Sequence, residues 1–327
     1  MRWLRWKVFV AVAALLAPVT SASAADLNCR TIEVVVPYSA GAFVDALGRV
    51  LAVRLTKAFG KQAIVVNRPG GSTIPATISV VNAQPDGCTI LLIGAATLTI
   101  NPTLQRGKLP YDTTKDLAPI SVLASSPAMI MANPALGVET VAALVELDKR
   151  QQGKINYASP GMGSNPHLGM EYFKLKTGTE FVHVPYRGLA PATTDLLANH
   201  VQLLFSSPAG FEDHVRSGRL KALGVSGNAR LKALPNVPLL AEVGYGMPEL
   251  DNSSMFGLLT SSRTPAPTIE ALAAFVNDAV RDPQFAADIE KIGLQPAGGT
   301  PGKFRDIIAH EIQRWAEIIK KAGIRTD

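Results

Sequence analysis

The sequence predicts an α/β fold with parallel-rich sheets flanked by helices. Short, almost continuous apolar runs such as residues 32–36 alternate with longer stretches whose apolar residues recur at helical spacing. Runs of this kind are typical of strands covered on both faces, and helices between them are typical of parallel connections. The chain has 327 residues, 47% hydrophobic and 18% charged. It is therefore long enough for more than one domain and is not a disordered segment.

Residues 1–24 have the features of a secretory signal peptide. A positively charged start precedes the apolar run 8–17, and Ala22-Ser23-Ala24 is the small-residue pattern that a signal peptidase accepts. We therefore expect export and cleavage near Ala24. The apolar run is about half as long as the ~20 residues of a transmembrane helix, and no later stretch is long enough, so a membrane-spanning mature chain is not expected.

The charge balance argues against a nucleic-acid partner. The formal net charge of +6 falls to +3 when the three basic residues of the leader are removed. The remaining positive charge is weak and scattered, and no basic run is interleaved with aromatic residues that could stack on bases.

A first series of predicted elements follows the leader, and each strand in it is followed by a helical pattern. The first helix is expected to stop at Gly60. The elements are strand 31–37, helix 44–59, strand 64–66, helix 75–81, strand 89–94 and helix 98–104.

A second series begins near residue 128 and has the composition of a separate sheet. No charge run or flexible linker separates the two series, which favours two domains joined by short crossings. The predicted elements are strand 128–131, helix 138–150, strand 155–159, helix 164–176, strand 181–185, helix 191–199, strand 201–206, the apolar run 223–225, a proline-rich connector 234–238, strand 255–259, and helices 268–281, 284–292 and 303–322.

The chain has two cysteines, Cys29 and Cys88, and each directly precedes a predicted strand. If those strands are parallel neighbours, their starts lie about 5 Å apart, within reach of a disulfide bond that an oxidising compartment permits. Two unpaired buried thiols are the alternative. A lipoprotein anchor at Cys29 is also considered, but Asn28 stands where such a signal requires a small residue.

No catalytic or cofactor-binding motif is complete. The turn Gly161-Met162-Gly163-Ser164-Asn165-Pro166 begins like a dinucleotide fingerprint, but its sixth position is proline and it contains no Gly-x-Ser-x-Gly elbow. His310-Glu311 lacks the second histidine of a zinc-protease helix, and we expect both side chains on a solvated face. We predict no metal and no cofactor. A secreted α/β hydrolase that uses Ser164 or His167 stays open as an alternative.

Glycine- and serine-rich turns that follow a strand and open a helix are the clearest functional signal. Such turns present unpaired backbone N–H groups and the positive end of a helix dipole, which suits an anion. Ligands bind at the carboxyl ends of parallel strands, so turns of both series could meet in one crevice. Alternatively, each turn caps only its own helix. The candidates are Tyr38-Ser39-Ala40-Gly41, Arg68-Pro69-Gly70-Gly71-Ser72, Gly94-Ala95-Ala96-Thr97, Ser159-Pro160-Gly161-Met162-Gly163-Ser164 and Ser206-Ser207-Pro208.

Ten short motifs are ordered along the mature chain: residues 32–38, Val66-Asn67-Arg68-Pro69-Gly70, Pro85-Asp86-Gly87, Ile100-Asn101-Pro102, Leu109-Pro110-Tyr111-Asp112, Ile155-Asn156-Tyr157-Ala158-Ser159, His183-Val184-Pro185-Tyr186-Arg187-Gly188, Asp195-Leu196-Leu197, Leu234-Pro235-Asn236-Val237-Pro238 and Ala297-Gly298-Gly299-Thr300-Pro301. Together they resemble the Bug family, the extracytoplasmic solute receptors of tripartite tricarboxylate transporters. The collinearity of the motifs, rather than any one of them, makes the resemblance specific.

The resemblance implies a two-domain periplasmic binding protein of the type II-like, Venus flytrap kind. Residues 25–124 plus 228–327 would form one domain and residues 125–227 the other, with the ligand cleft between them. It further implies a monomeric periplasmic receptor, not an enzyme, that binds a small organic carboxylate and delivers it to integral membrane permease subunits. A receptor that senses its ligand without transport is the alternative.

The resemblance also implies which residues contact the ligand, largely through main-chain donors and ordered water. The first domain would contribute Tyr38, Ser39, Ala40, Gly41, Ala95 and Thr97, and the second Ser159, Gly161, Ser164, His167 and Ser206. Tyr186 and Arg187 look like cleft-edge positions.

One segment departs from the family pattern. Family members usually have further glycines and a threonine after the position of Gly41, where this chain has Ala42-Phe43-Val44 before Asp45. The added side chains make this wall bulkier and more apolar, so an aromatic or partly apolar acid is expected rather than citrate. Asp45 is expected to favour the dipole of its own helix; alternatively, it faces a ligand amine or repels a second carboxylate.

Overall fold

Two sheets organise the computed structural model, which describes residues 27–324 except 152, 228, 248–254 and 322. The predicted signal peptide, its cleavage site near Ala24 and the predicted last residue of the C-terminal helix, residue 322, lie outside the described residues.

The described residues form eleven strands and ten helices. The strands are β1 (Thr31–Val36), β2 (Gln62–Asn67), β3 (Thr89–Gly94), β4 (Leu117–Ser125), β5 (Met129–Ala132), β6 (Asn156–Ser159), β7 (Val182–Pro185), β8 (Leu203–Ser206), β9 (Lys221–Val225), β10 (Met255–Ser261) and β11 (Gln295–Pro296). The helices are α1 (Phe43–Phe59), α2 (Ile74–Val81), α3 (Ala95–Leu104), α4 (Val141–Gln151), α5 (Asn165–Thr177), α6 (Leu189–Leu197), α7 (Glu212–Arg216), α8 (Ala266–Arg281), α9 (Pro283–Lys291) and α10 (Pro301–Lys321). No helix in these ranges is long and apolar enough to cross a membrane.

The strands form a six-stranded sheet, here called sheet A, and a five-stranded sheet, sheet B. Sheet A has the order β11-β4-β10-β3-β1-β2, and sheet B has the order β7-β6-β8-β5-β9. Sheet A combines strands from distant parts of the sequence. Strand β10 lies between β3 and β4, although all strands of sheet B come between β4 and β10 in the sequence.

Both sheets are mixed, which corrects the expectation of parallel-rich sheets. The pairs β1–β2, β1–β3, β6–β7 and β6–β8 are parallel. By contrast, β10 runs antiparallel to β3 and β4, and β5 runs antiparallel to β8 and β9. A strand that is buried on both faces is apolar in either direction, so its sequence did not show its direction.

Strand β4 was missed by the sequence analysis because proline interrupts it. Pro119 lies inside the strand, and the pairing with β10 shifts register at this point, with Leu258 opposite Ser121 and Leu259 opposite Pro119. A proline cannot donate a ladder hydrogen bond and is tolerated at such a bulge.

Helix α1 has the predicted register. Its buried residues Leu47, Leu51 and Leu55 pack in one core with Val34 of β1. Gly60 ends the helix in the left-handed conformation at φ 63°, as its sequence position predicted.

The predicted disulfide between Cys29 and Cys88 is confirmed. The strands that follow the two cysteines, β1 and β3, are parallel neighbours, and Glu33 pairs with Thr89. The bond closes a sequence separation of 59 residues, which in the chain-entropy account stabilises the fold by about 4 kcal/mol.

Residues that follow position 228, the predicted domain boundary, pack against sheet B. Leu231, Leu234 and Val237 of the proline-rich connector pack in a core with Leu204 of sheet B. The connector has the composition of a linker, but its apolar side chains are buried, and Met247 farther along packs in the core that includes strands of sheet B.

Helix α10 contributes to the cores of both sheets. Phe304 and Ile308 pack with sheet A, whereas Trp315 packs with sheet B. Glu311 lies between these contacts and is 1% exposed, which corrects its predicted solvated position. Burial raises the pKa of Glu311 to about 7, against the opposing effect of Arg314.

Candidate functional site

A crevice of about 930 Å³ opens where the carboxyl ends of strands from both sheets face each other. Its walls include residues that directly follow β1, β2 and β3 in sheet A and β6, β7 and β8 in sheet B. The turns that the sequence analysis selected in the two series therefore border one shared space. Among the described residues that line it, none carries a charged side chain.

Helix α1 begins at the crevice without a side-chain cap. Its N-cap residue is Ala42, which offers no side-chain oxygen. The Gly41 N–H donates to Asp45 Oδ2 at 3.0 Å, and the Ala42 N–H donates to the Ser39 carbonyl at 3.2 Å. The next amides, of Phe43 and Val44, lie in the first helical turn and have no carbonyl partner within the helix.

Asp45 is buried beneath this turn and is surrounded by the chain's own donors. Besides Gly41, it accepts hydrogen bonds from Arg49 Nε and Asn67 Nδ2, each at 3.0 Å. Burial opposes ionisation, but these hydrogen bonds outweigh it and hold the pKa of Asp45 below its ordinary value. Its carboxylate therefore orders the turn between β1 and α1.

Helix α3 also begins at the crevice without a side-chain cap. Its N-cap is Gly94, whose N–H donates to the Tyr38 hydroxyl at 3.4 Å. Burial raises the pKa of Tyr38, although hydrogen bonds with Thr97 and Gly94 partly oppose this. Tyr38 thereby connects the turn after β1 to the start of α3, where Ala96 and Thr97 line the crevice.

Helix α5, in contrast, is capped by its own turn. Ser164 Oγ accepts from the His167 N–H at 3.4 Å and donates to the Gly161 carbonyl at 2.7 Å. The Gly161 N–H donates to Ser159 Oγ at 3.1 Å, and the Gly163 N–H donates to His167 Nδ1 at 3.0 Å. The polar groups of this turn are thus engaged with one another.

Two stacked histidines lie behind the α5 turn. The rings of His167 and His183 are 4.0 Å apart, and His183 Nε2 is 2.6 Å from Ser159 Oγ. Burial lowers the pKa of both imidazoles, that of His183 to about 4, with the neighbouring charges of Glu171 and Lys174 acting in opposite directions. Both rings are therefore neutral at neutral pH.

Ser164 and His167 are the residues on which the hydrolase alternative depended. The oxygen of Ser164 caps α5, and the Nδ1 atom of His167 is occupied by the Gly163 amide. Neither residue lines the crevice. The structure places both in support of a helix start.

Helix α6 provides a third uncapped start, which the sequence analysis missed. Its N-cap is Gly188 at φ 121°, without a side-chain cap, and Gly188, Leu189 and Ala190 line the crevice. Tyr186 positions this helix by donating from its hydroxyl to Asp195 at 2.7 Å; burial and this contact raise the pKa of Tyr186 to about 12. The turn before α6 contains no serine and no capping residue, so it lacks the pattern that marked the other helix starts.

The predicted site residues fall into two groups. Tyr38, Ser39, Thr97 and Ser206 line the crevice. The others lie outside the lining, in turns, at a strand end or in the first turn of a helix: Ala40, Gly41, Asp45, Ala95, Ser159, Gly161, Ser164, His167 and Tyr186. Arg187 is exposed and is also outside the lining.

Several lining residues carried no signal in the sequence analysis. Ser126, after β4, shares a 2.7 Å hydrogen bond with Ser207, after β8, and both line the crevice. Met255 and Phe256 line it from the start of β10. These residues reach the site only through the strand order, because β4 and β10 enter sheet A from distant parts of the sequence.

Comparison with known proteins agrees with the resemblance found in the sequence. Residues 47–324 match the tripartite tricarboxylate transporter family receptor, TctC. The chain is 33% identical to protein BugT of Bordetella pertussis (strain Tohama I) over 97% of this chain and 96% of BugT. It is 30% identical to the UPF0065 protein in the tcbD-tcbE intergenic region of Pseudomonas sp. (strain P51), over 89% of this chain and 85% of that protein.

Solved structures share the fold. The R. palustris protein Rpa4515 with adipate has a TM-score of 0.79 and 29% identity, covering 92% of this chain and 99% of that one. The periplasmic binding protein BugD has a TM-score of 0.74 and 28% identity, covering 91% of this chain and 99% of that one. These similarities confirm the predicted fold class, that of periplasmic binding proteins.

Proposed function

Because the chain belongs to the family of tripartite tricarboxylate transporter receptors, we propose that it captures a small organic carboxylate in the crevice between its two sheets. One observation carries the proposal. Helices α1 and α3 follow strands of sheet A, α6 follows a strand of sheet B, and all three begin at this crevice without side-chain caps. Each start presents backbone N–H donors and a partial positive charge to the same space.

Backbone donors suit a carboxylate in this setting. The described lining has no cationic side chain, so the charge of a bound anion is met by oriented amides and hydroxyl groups instead. We propose Tyr38, Ser39, Thr97 and Ser206 as ligand contacts, and we assign to Ser159, Ser164 and His167 the positioning of the α5 turn. A micromolar affinity corresponds to about 8 kcal/mol, which a few charge-assisted hydrogen bonds in a closed cleft can provide.

Ligand capture is proposed to involve closure of two lobes. Sheet A with its helices would form one lobe and sheet B with its helices the other, and the described chain connects them at 125–129 and through α10, which packs in the cores of both sheets. A ligand that contacts the helix starts of both lobes favours the closed arrangement, since its contacts are complete only there.

We further propose that the exported receptor works in the periplasm as a monomer and presents its ligand to a membrane permease, without making or breaking a bond. The structure of the related R. palustris protein contains adipate, which supports a carboxylate ligand here. Uptake of the labelled ligand by cells with and without this chain separates delivery to a permease from sensing.

The binding proposal is tested by thermal-shift screening of the purified protein against carboxylates, sugars, amides and phosphates, with mass spectrometry of any ligand that co-purifies. At a ligand concentration of 100 times Kd, the native state gains about 2.7 kcal/mol, which gives a clear rise in Tm. The proposal predicts that acids cause this rise and are recovered unchanged. Stabilisation by sugars, amides or phosphates but by no acid would contradict it.

A further inference from the structure

Phe43, Met255 and Phe256 form a patch on the wall of the crevice, here called the aromatic patch. The rings of Phe43 and Phe256 meet edge to face, with centroids 5.3 Å apart and planes at 85°. Phe256 is buried, but Phe43 is 41% exposed at the first position of α1. A large apolar surface is therefore left open inside the proposed binding site.

The opposite sheet adds to this apolar surface. Leu189, the first residue of α6, is 36% exposed and lines the same crevice. Single exposed apolar residues are common on protein surfaces, but large apolar side chains from separate elements that share one concave site are typical of a ligand-binding groove. The aromatic patch and Leu189 are therefore expected to cover an apolar part of the ligand.

The absence of charged side chains from the described lining limits how many carboxylates the ligand can carry. Among the described lining residues, no arginine, lysine or histidine is available to pair with a second carboxylate. Val44, in the first turn of α1, is buried and adds no hydroxyl group. The helix starts offer backbone donors to one carboxylate, whereas a second carboxylate placed against the apolar side chains of the aromatic patch would lose water without gaining a polar partner, and this is unfavourable.

We infer that the ligand is an aryl monocarboxylate, with its single carboxylate at the uncapped helix starts and its ring against Phe43 and Phe256. This inference rests on the proposed function of the crevice as a carboxylate site. Aromatic rings favour edge-to-face and offset contacts, and a third ring in the crevice can pack in this way against the exposed ring of Phe43, which already meets Phe256 edge to face.

Isothermal titration calorimetry of the purified protein with three probes tests the ligand class. Phenylacetate has one carboxylate and a ring, cyclohexylacetate has the same carboxylate and a saturated ring, and adipate has two carboxylates and no ring. We expect phenylacetate to bind at least about tenfold more tightly than adipate and roughly two- to tenfold more tightly than cyclohexylacetate, the range expected for an aromatic contact.

The variant Phe43→Leu tests whether the ring of Phe43 contacts the ring of the ligand. Leucine keeps the wall apolar but removes the ring, so phenylacetate should lose roughly two- to tenfold in affinity while cyclohexylacetate changes little. The matched control is Val53→Ala, which shortens a 70% exposed side chain on the same helix outside the crevice. Circular dichroism melts of both variants verify that they fold.

The outcomes separate this inference from the proposed function. If adipate or cyclohexylacetate binds as tightly as phenylacetate, or if Phe43→Leu affects the two ring probes equally, the aryl ligand class is overturned while the carboxylate receptor stands. If no acid of any class binds, both are overturned.

Discussion

The starts of α5 and α6 are two versions of the same element. Each follows a strand of sheet B, β6 or β7, and each begins at the same edge of that sheet. The α5 turn is rich in glycine and serine, and its groups bond to one another through Ser159, Ser164 and His167. The α6 turn has no capping side chain, and Gly188, Leu189 and Ala190 at the start of the helix line the crevice.

The comparison shows that a polar turn does not by itself leave backbone amides available to an anion. Serine and asparagine side chains at a helix start satisfy the amides that would otherwise bind a ligand. The α5 turn, which the sequence analysis selected as a candidate anion site, therefore satisfies more of its own donors than the α6 turn does. A helix start without a capping residue keeps its donors for a ligand.

The largest expected effect is on ligand affinity and comes from Ala190→Asp. The new carboxylate would occupy the second position of α6, on the crevice wall. Two negative charges about 5 Å apart repel by about 3 kcal/mol at an effective dielectric constant of 20, so the affinity for a carboxylate should fall roughly 100-fold. The Tm should not fall, since a negative charge favours the helix dipole. Calorimetry and thermal melts measure both quantities.

The neutral isostere Ala190→Asn is the control for this variant. It adds nearly the same volume without the charge, and its affinity should stay much closer to that of the parent protein. Equal affinities for Ala190→Asp and the parent would show that the α6 start does not face the ligand, and the contrast between the two turns would lose its functional meaning.

A smaller effect, on stability rather than affinity, is expected from Ser164→Ala. The substitution removes the side-chain oxygen that accepts from the His167 N–H, and loss of such a cap costs about 1 kcal/mol. Denaturant unfolding measures the loss, and Ser164→Asp, which can still cap, serves as the control. Carboxylate affinity should stay within about twofold; a tenfold drop at unchanged stability would make Ser164 a direct ligand contact instead.

The smallest effect concerns the pH dependence of stability behind the α5 turn. The pKa of His183 is about 4 in the folded protein and 6.5 in its ordinary state, so the unfolded chain binds more protons between these values. Stability should therefore be constant above pH 6.5 and decrease as the pH falls towards 4. In His183→Gln the decrease in Tm between pH 7 and pH 5 should shrink by about 2 °C.

The exposed His200 provides the control for this measurement. His200→Gln should keep the full pH dependence, because the side chain is 71% exposed. If His183→Gln and the parent lose Tm in parallel, His183 does not contribute to the acid sensitivity of this region.

Much of sheet A could be read from local sequence. The helical spacing of Leu47, Leu51 and Leu55 and the stop at Gly60 gave α1 its register, because these features depend on neighbours within a few turns. The positions of Cys29 and Cys88 before two apolar runs favoured their disulfide over two unpaired thiols, and the bond is present.

The lining of the crevice was predicted less completely from the sequence, because part of it comes from distant strands. Tyr38, Ser39, Thr97 and Ser206 follow strands within a local pattern, and they line the crevice as their positions suggested. Phe256 lines it because β10 pairs with β3 from a part of the sequence more than 150 residues away. No local pattern contains that pairing.

By itself, the sequence determined the periodicity of its strands and helices, the polar turns between them and the cysteine pair, since these follow from residues close together in the chain. Tertiary structure decided the direction of β5 and β10, the burial of Glu311 and which helix starts line the crevice without a side-chain cap. Strand direction and burial depend on which distant segments pack together. Whether a backbone N–H group at a helix start stays unpaired depends on whether a nearby side chain accepts its hydrogen bond.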